Sequence, residues 1–185
     1  RQMSLDLDEE EDLAARVMEK MNSENDSVLK DRIKVCDGRL PKGAPATFLN
    51  NAKMVKLITD WWKVAMKNPS SWKCKGTDNN IYTFLNDYLT AYKEVFPEAW
   101  DNKNYVLTKT MGFDIIFSIC NQLTLNAVDI SGVNRLPDKD AFVSILQKVF
   151  FTKDDSGNMV PVEVELDGEN AVPFNWESSI YGSHS

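Results

Sequence analysis

Histidine is almost missing from this sequence. The single residue, His184, stands next to last among 185, which leaves no Ser-His-Asp or Cys-His arrangement and no His-rich metal site. Cysteine is scarce as well: Cys36, Cys74 and Cys120 are odd in number, widely spaced and without a Cys-x-x-Cys pair, so neither a disulfide framework nor a zinc site is encoded. A reducing, cytoplasmic compartment is the expectation. Long apolar runs are absent too, none approaching the roughly 18 residues that a membrane helix needs. The opening stretch RQMSLDLDEEEDLAARVMEK lacks the basic start and apolar centre of a secretory signal, and the Arg-rich, acid-poor bias of a transit peptide. It opens on Arg1 rather than Met, which raises the expectation of a fragment or a processed chain.

What is present fits one domain. A chain of this length can bury a sizeable core, and its hydrophobic share of 43% with 26% charged residues is that of a globular protein. The net charge of -7 is unevenly spread. Between Arg32 and Lys75 ten basic residues stand against Asp37 and Asp60, a balance of +8, so the remainder carries -15. Such asymmetry points to an anionic partner such as nucleic acid.

Hydrophobic periodicity predicts a mainly α fold: a single helical domain, residues 1–185, of about five helices with short extended segments and an irregular acidic tail. The first helix is predicted from Asp8 to Met21, with Leu13, Val17 and Met21 on one face and the preceding acids favouring its amino end. SVLKDRIKV reads as short and extended, and CDGRLPKGAP as a turn. Thr47 is the candidate cap of a second helix, FLNNAKMVKLITDWWKVAMK, stopped by Asn68 and Pro69. Asp78 or Asn79 caps a third, with Ile81, Leu85, Tyr88 or Leu89, Tyr92 and Phe96 on its stripe, ending before Pro97. A fourth runs from Tyr105 to Leu123. It is apolar almost all round, with Leu107, Met111, Ile115 and Ile119 on one face, which predicts the central buried helix. Asp138 caps a fifth, Lys139 to Phe150, with Phe142, Ile145, Leu146 and Val149 facing inward. The acidic tail has extended character at MVPVEVEL.

The candidate nucleic-acid contact is the flank of Lys53, Lys56, Lys63 and Lys67 with the adjoining SSWKCKG, which holds Trp72, Lys73 and Lys75. Lysines on one helical flank can neutralise phosphates, and a tryptophan between them can stack on an unpaired base. The alternative is a solvated lysine face beside a core helix, with the tryptophans as packing anchors. CDGRLPKG lacks the spacing and the Lys-Ser/Thr pair of a phosphate loop, and reads as a surface turn. The acids of DLDEEED and VEVELDGE have no other ligand type beside them; the first set reads as a charge cluster at a helix amino terminus and the second as a solvated strand or loop. Cys120 lies on an apolar face, an inert core thiol. Cys74 between two lysines has the setting for a lowered pKa but no partner base.

FLNDYLTAYKEVFPEAWDNKNYVLTKTMGFDIIFSIC carries a helix ending in Phe-Pro-x-x-Trp, a polar link, then Leu-Thr-Lys-Thr-x-Gly opening a buried helix. Together with the upstream NSENDSVLKDRIKV and the closing FNWESSIYGSHS, it resembles the carboxy-terminal helical part of DGQHR-domain proteins. That bacterial group includes the regulator associated with DNA phosphorothioate modification. The Asp-Gly-Gln-His-Arg signature itself is absent, and Asp37, Gly38 and Arg39 do not replace it. In the family that signature sits in an amino-terminal portion related to ParB and sulfiredoxin folds. The resemblance therefore implies the downstream part of a longer protein of a prokaryotic or phage DNA-modification or defence system.

On that footing the expected role is DNA binding or regulation without catalysis, with no cofactor or metal, no membrane, and DNA or protein partners of the same system. Two alternatives stand beside it: part of a nucleotide-hydrolysing or DNA-processing enzyme whose catalytic motif lies outside this chain, and a purely protein-binding module with acidic ends. Within the Phe-Pro-x-x-Trp hairpin, Pro97 is expected to end a helix, Trp100 to staple the turn, and Gly112 to allow a close backbone approach. Thr108, Lys109 and Thr110 form a candidate anion contact at a helix amino terminus.

Overall fold

The computed structural model describes residues 2–35, 47–67, 77–125, 137–165 and 171–177, with side chains from residue 9 onward. The fold is mainly helical with short extended segments, as the periodicity predicts. Its elements are α1 (Gln2–Ser23), β1 (Ile33–Lys34), β2 (Leu49–Asn50), α2 (Asn51–Ala65), α3 (Asp78–Val95), α4 (Thr110–Leu125), α5 (Lys139–Phe150), β3 (Phe151–Lys153), β4 (Met159–Pro161), β5 (Glu163–Val164) and β6 (Val172–Pro173).

α1 is longer than the predicted Asp8–Met21, because the acidic run lies inside the helix rather than at its first turn. Glutamate is a good helix former, so the run propagates the helix. After α1 the chain is pinned by polar side chains: Ser27 Oγ donates to the Met21 carbonyl at 2.5 Å, and Asn22 Oδ1 accepts from Ile33 N–H at 2.8 Å. β1 then pairs in parallel with β2, Ile33 opposite Leu49 and Lys34 opposite Asn50.

That pairing moves the start of α2. Thr47 does not cap it: Phe48 N–H donates to the Arg32 carbonyl, Leu49 and Asn50 are held as strand, and the Asn50 side chain caps the helix by accepting from Lys53 N–H at 2.8 Å. Phe48, freed from the helix, packs edge-on against Trp100 at 5.8 Å under the Arg32 guanidinium. α3 is capped by Thr77, which accepts from Asn80 N–H, rather than by Asp78 or Asn79; Asp78 instead pairs with Arg16 of α1 at 2.8 Å.

The central helix is α3, not α4. It buries Ile81, Tyr82, Phe84, Leu85, Asn86, Tyr88, Leu89, Ala91 and Tyr92, and it packs on both α1 and α5, while α2 packs on α1 and α4. α4 begins at Thr110 rather than Tyr105 because the residues before it are drawn into pairing with the tail: Tyr105 bridges Glu177, and Val106 N–H donates to the Trp176 carbonyl at 2.7 Å. Its buried side is Phe113, Ile116, Phe117, Cys120 and Thr124, whereas Met111 of the predicted face is 49% exposed and Ile115 and Ile119 are half-buried.

α5 matches its predicted bounds, with Asp138 accepting from Ala141 N–H at 3.1 Å. Phe142, Leu146 and Phe150 face inward, and Val149 is exposed. The tail forms two small antiparallel pairs, β3 with β4 and β5 with β6, and delivers Trp176 to the core.

Candidate nucleic-acid interface

α2 carries three of the predicted lysines, and each meets a carboxylate. Lys53 Nζ lies 2.5 Å from Asp114 of α4, Lys56 Nζ 2.7 Å from Asp60 one turn on, and Lys63 Nζ 4.0 Å from Glu10 of α1. The Asp60 hydrogen bond raises the Lys56 pKa. All three ammonium groups keep solvent contact, so these are surface pairs that a phosphate can displace, and the carboxylates reduce the field the lysines project. Lys67 is exposed just past the helix end. Trp72, Lys73, Lys75 and Cys74 lie outside the described residues, as does the CDGRLPKG turn.

At the start of α4, Thr108 is buried while Lys109 and Thr110 are exposed. Lys109 N–H donates to the Val106 carbonyl, and the Lys109 carbonyl accepts from Phe113 N–H, so this turn closes on itself. A Cβ built on Gly112 would lie 2.1 Å from the Val106 oxygen and 2.3 Å from that of Leu107. The glycine is therefore required by the close approach of two carbonyls. The geometry gives Gly112 a packing role beside the buried Leu107 and Thr108, and leaves Lys109 and Thr110 exposed at the helix start.

Cys120 is fully buried, and burial pushes its thiol pKa well up, which keeps it protonated. Beside it Tyr88 O–H donates to the Ile116 carbonyl at 2.7 Å, and burial raises the pKa of both Tyr88 and Tyr92. Among the described residues no group of three or more His, Cys, Asp or Glu side chains is placed to hold a metal ion, and no helix is long and apolar enough to cross a membrane.

Sequence reasoning missed an aromatic groove at the carboxy-terminal end of α3. It is assembled from residues far apart in sequence: 95–99, Tyr105, Phe151, Pro161 and 174–177. The aromatic density of the tail, Phe150, Phe151, Phe174 and Trp176, is the signal that marks it. Compared with known proteins, the chain matches no family model, no curated protein and no solved structure.

Proposed function

We propose that this chain is a non-catalytic DNA-contacting or regulatory module of a DGQHR-like protein, belonging to a prokaryotic or phage DNA-modification or defence system. The observation that supports DNA contact is the row of Lys53, Lys56 and Lys63 on α2, which leads to Lys67 and on in sequence to Trp72, Lys73 and Lys75. Support for the family reading comes from its motif residues. Trp100 packs on Phe48, Gly112 admits two carbonyls, and Trp176 is anchored beneath the Phe-Pro turn, so residues that define the resemblance are also those that define the hairpin.

The carboxylates of Asp114, Asp60 and Glu10 compete with phosphate for the α2 lysines. Binding is then weak, salt-sensitive and indifferent to sequence, as backbone contacts are. The test compares two triple variants by fluorescence anisotropy on single- and double-stranded DNA at low salt. Lys67→Gln/Lys73→Gln/Lys75→Gln is expected to lose more affinity than Lys53→Gln/Lys56→Gln/Lys63→Gln. Equal affinity of both variants and the parent would refute the proposal.

A further inference from the structure

The groove at the end of α3 encloses about 480 Å³, within the size range of ligand sites. Phe96, Tyr105, Phe151 and Phe174 are half-buried around it and Trp176 is buried among them. Among the described residues the charged side chains that line it are Glu98 and Glu177, both carboxylates and both exposed. The carboxy terminus of α3 ends at Val95 on the same wall and adds the negative pole of a helix dipole. Such a surface repels phosphate and suits a cation held against aromatic faces.

We propose that this groove docks an extended segment of a protein partner in which an arginine or lysine is set among proline or aliphatic residues. Charge complementarity selects this occupant: the apolar floor takes the aliphatic or proline side chains, and the two carboxylates take the base at the rim. Aromatic-lined grooves recognise extended proline-rich segments in the same way. Among the described residues, Lys53, Lys56, Lys63 and Lys67 do not line the groove, so this inference is argued separately from the DNA reading.

The probe is a phage-displayed library of random peptides of roughly a dozen residues, long enough to cross such a groove, selected against the intact chain. Enriched peptides are expected to combine Arg or Lys with Pro, Leu or aromatic residues. They should shift the Trp176 indole N–H resonance, a reporter with no hydrogen-bond partner among the described residues. Affinity should fall about five- to tenfold in Glu98→Gln/Glu177→Gln, the loss expected of two rim charges. The Lys67→Gln/Lys73→Gln/Lys75→Gln variant should bind the same peptides unchanged. No enrichment, enrichment of acidic or purely apolar peptides, or binding that leaves Trp176 unshifted and survives the glutamine pair would overturn the proposal.

Discussion

The indole N–H of Trp61 donates to Thr124 Oγ1 at 2.9 Å, joining α2 to α4 inside the core. Both residues are almost fully buried, so removing the acceptor strands a donor away from water. Thr124→Val keeps the shape and deletes the oxygen. It is expected to lower stability by about 1–3 kcal/mol, read from urea midpoints at an unchanged m-value. A midpoint equal to the parent's would show that the bond adds nothing.

Two glycines should respond very differently to alanine. Gly112 sits against the carbonyls of Val106 and Leu107, so Gly112→Ala must push the 105–109 turn away from α4 despite alanine's better helix propensity. A loss of about 3 kcal/mol or more is expected, with weakened Tyr105–Glu177 pairing. Gly157 has a φ of +82° and nothing within 4 Å of an added Cβ. There only backbone strain operates, and Gly157→Ala should cost about 1 kcal/mol. Reversal of that order in thermal melts would contradict the turn geometry.

Helix caps give a local check. Thr77→Ala removes the acceptor for Asn80 N–H and should cost about 1 kcal/mol, whereas Asn79→Ala lies past the cap and should cost a few tenths at most. Equal losses would place the cap elsewhere.

The buried hydroxyls and thiol set a limit at alkaline pH. Tyr82, Tyr88, Tyr92 and Cys120 are all held protonated above their ordinary values of 10.0 and 9.0, chiefly by burial. The native state thus binds more protons than the unfolded chain once pH passes those ordinary values. Their contribution is complete below about pH 9 and declines as pH rises. Urea midpoints measured from neutral pH upward should fall beyond pH 9 to 10, and more shallowly in Tyr92→Phe. A flat profile would mean these groups ionise without cost.

The sequence was most legible where one helix carried its own boundary signals. Asp138 stands directly before the apolar period of α5, and Pro97 directly after that of α3, so both bounds followed from local chemistry. The errors arose from distant partners. Leu49 and Asn50 fit a helix by themselves, but Ile33 and Lys34 recruit them as strand. Tyr105 and Val106 would extend α4 were they not paired with Glu177 and Trp176. The periodicity of α4 looked central because it is apolar all round, yet α3, which buries nine of its residues against its neighbours, occupies that place. For the candidate interface, spacing put Lys53, Lys56 and Lys63 on one flank but could not reveal Asp114 and Glu10, which reach them from other helices. The groove was invisible for the same reason.

DNA contact through the α2 lysines and those that follow them is decided by how affinity changes with salt. If the lysines at 53, 56, 63, 67, 73 and 75 all displace counterions from duplex DNA, log affinity should fall with log salt at a slope of about -5. If the three paired lysines keep their carboxylates, the slope should be about -3. Either value, lost when the six are changed to glutamine, is the predicted result. Absence of binding at low salt, or binding whose slope survives those substitutions, would contradict it.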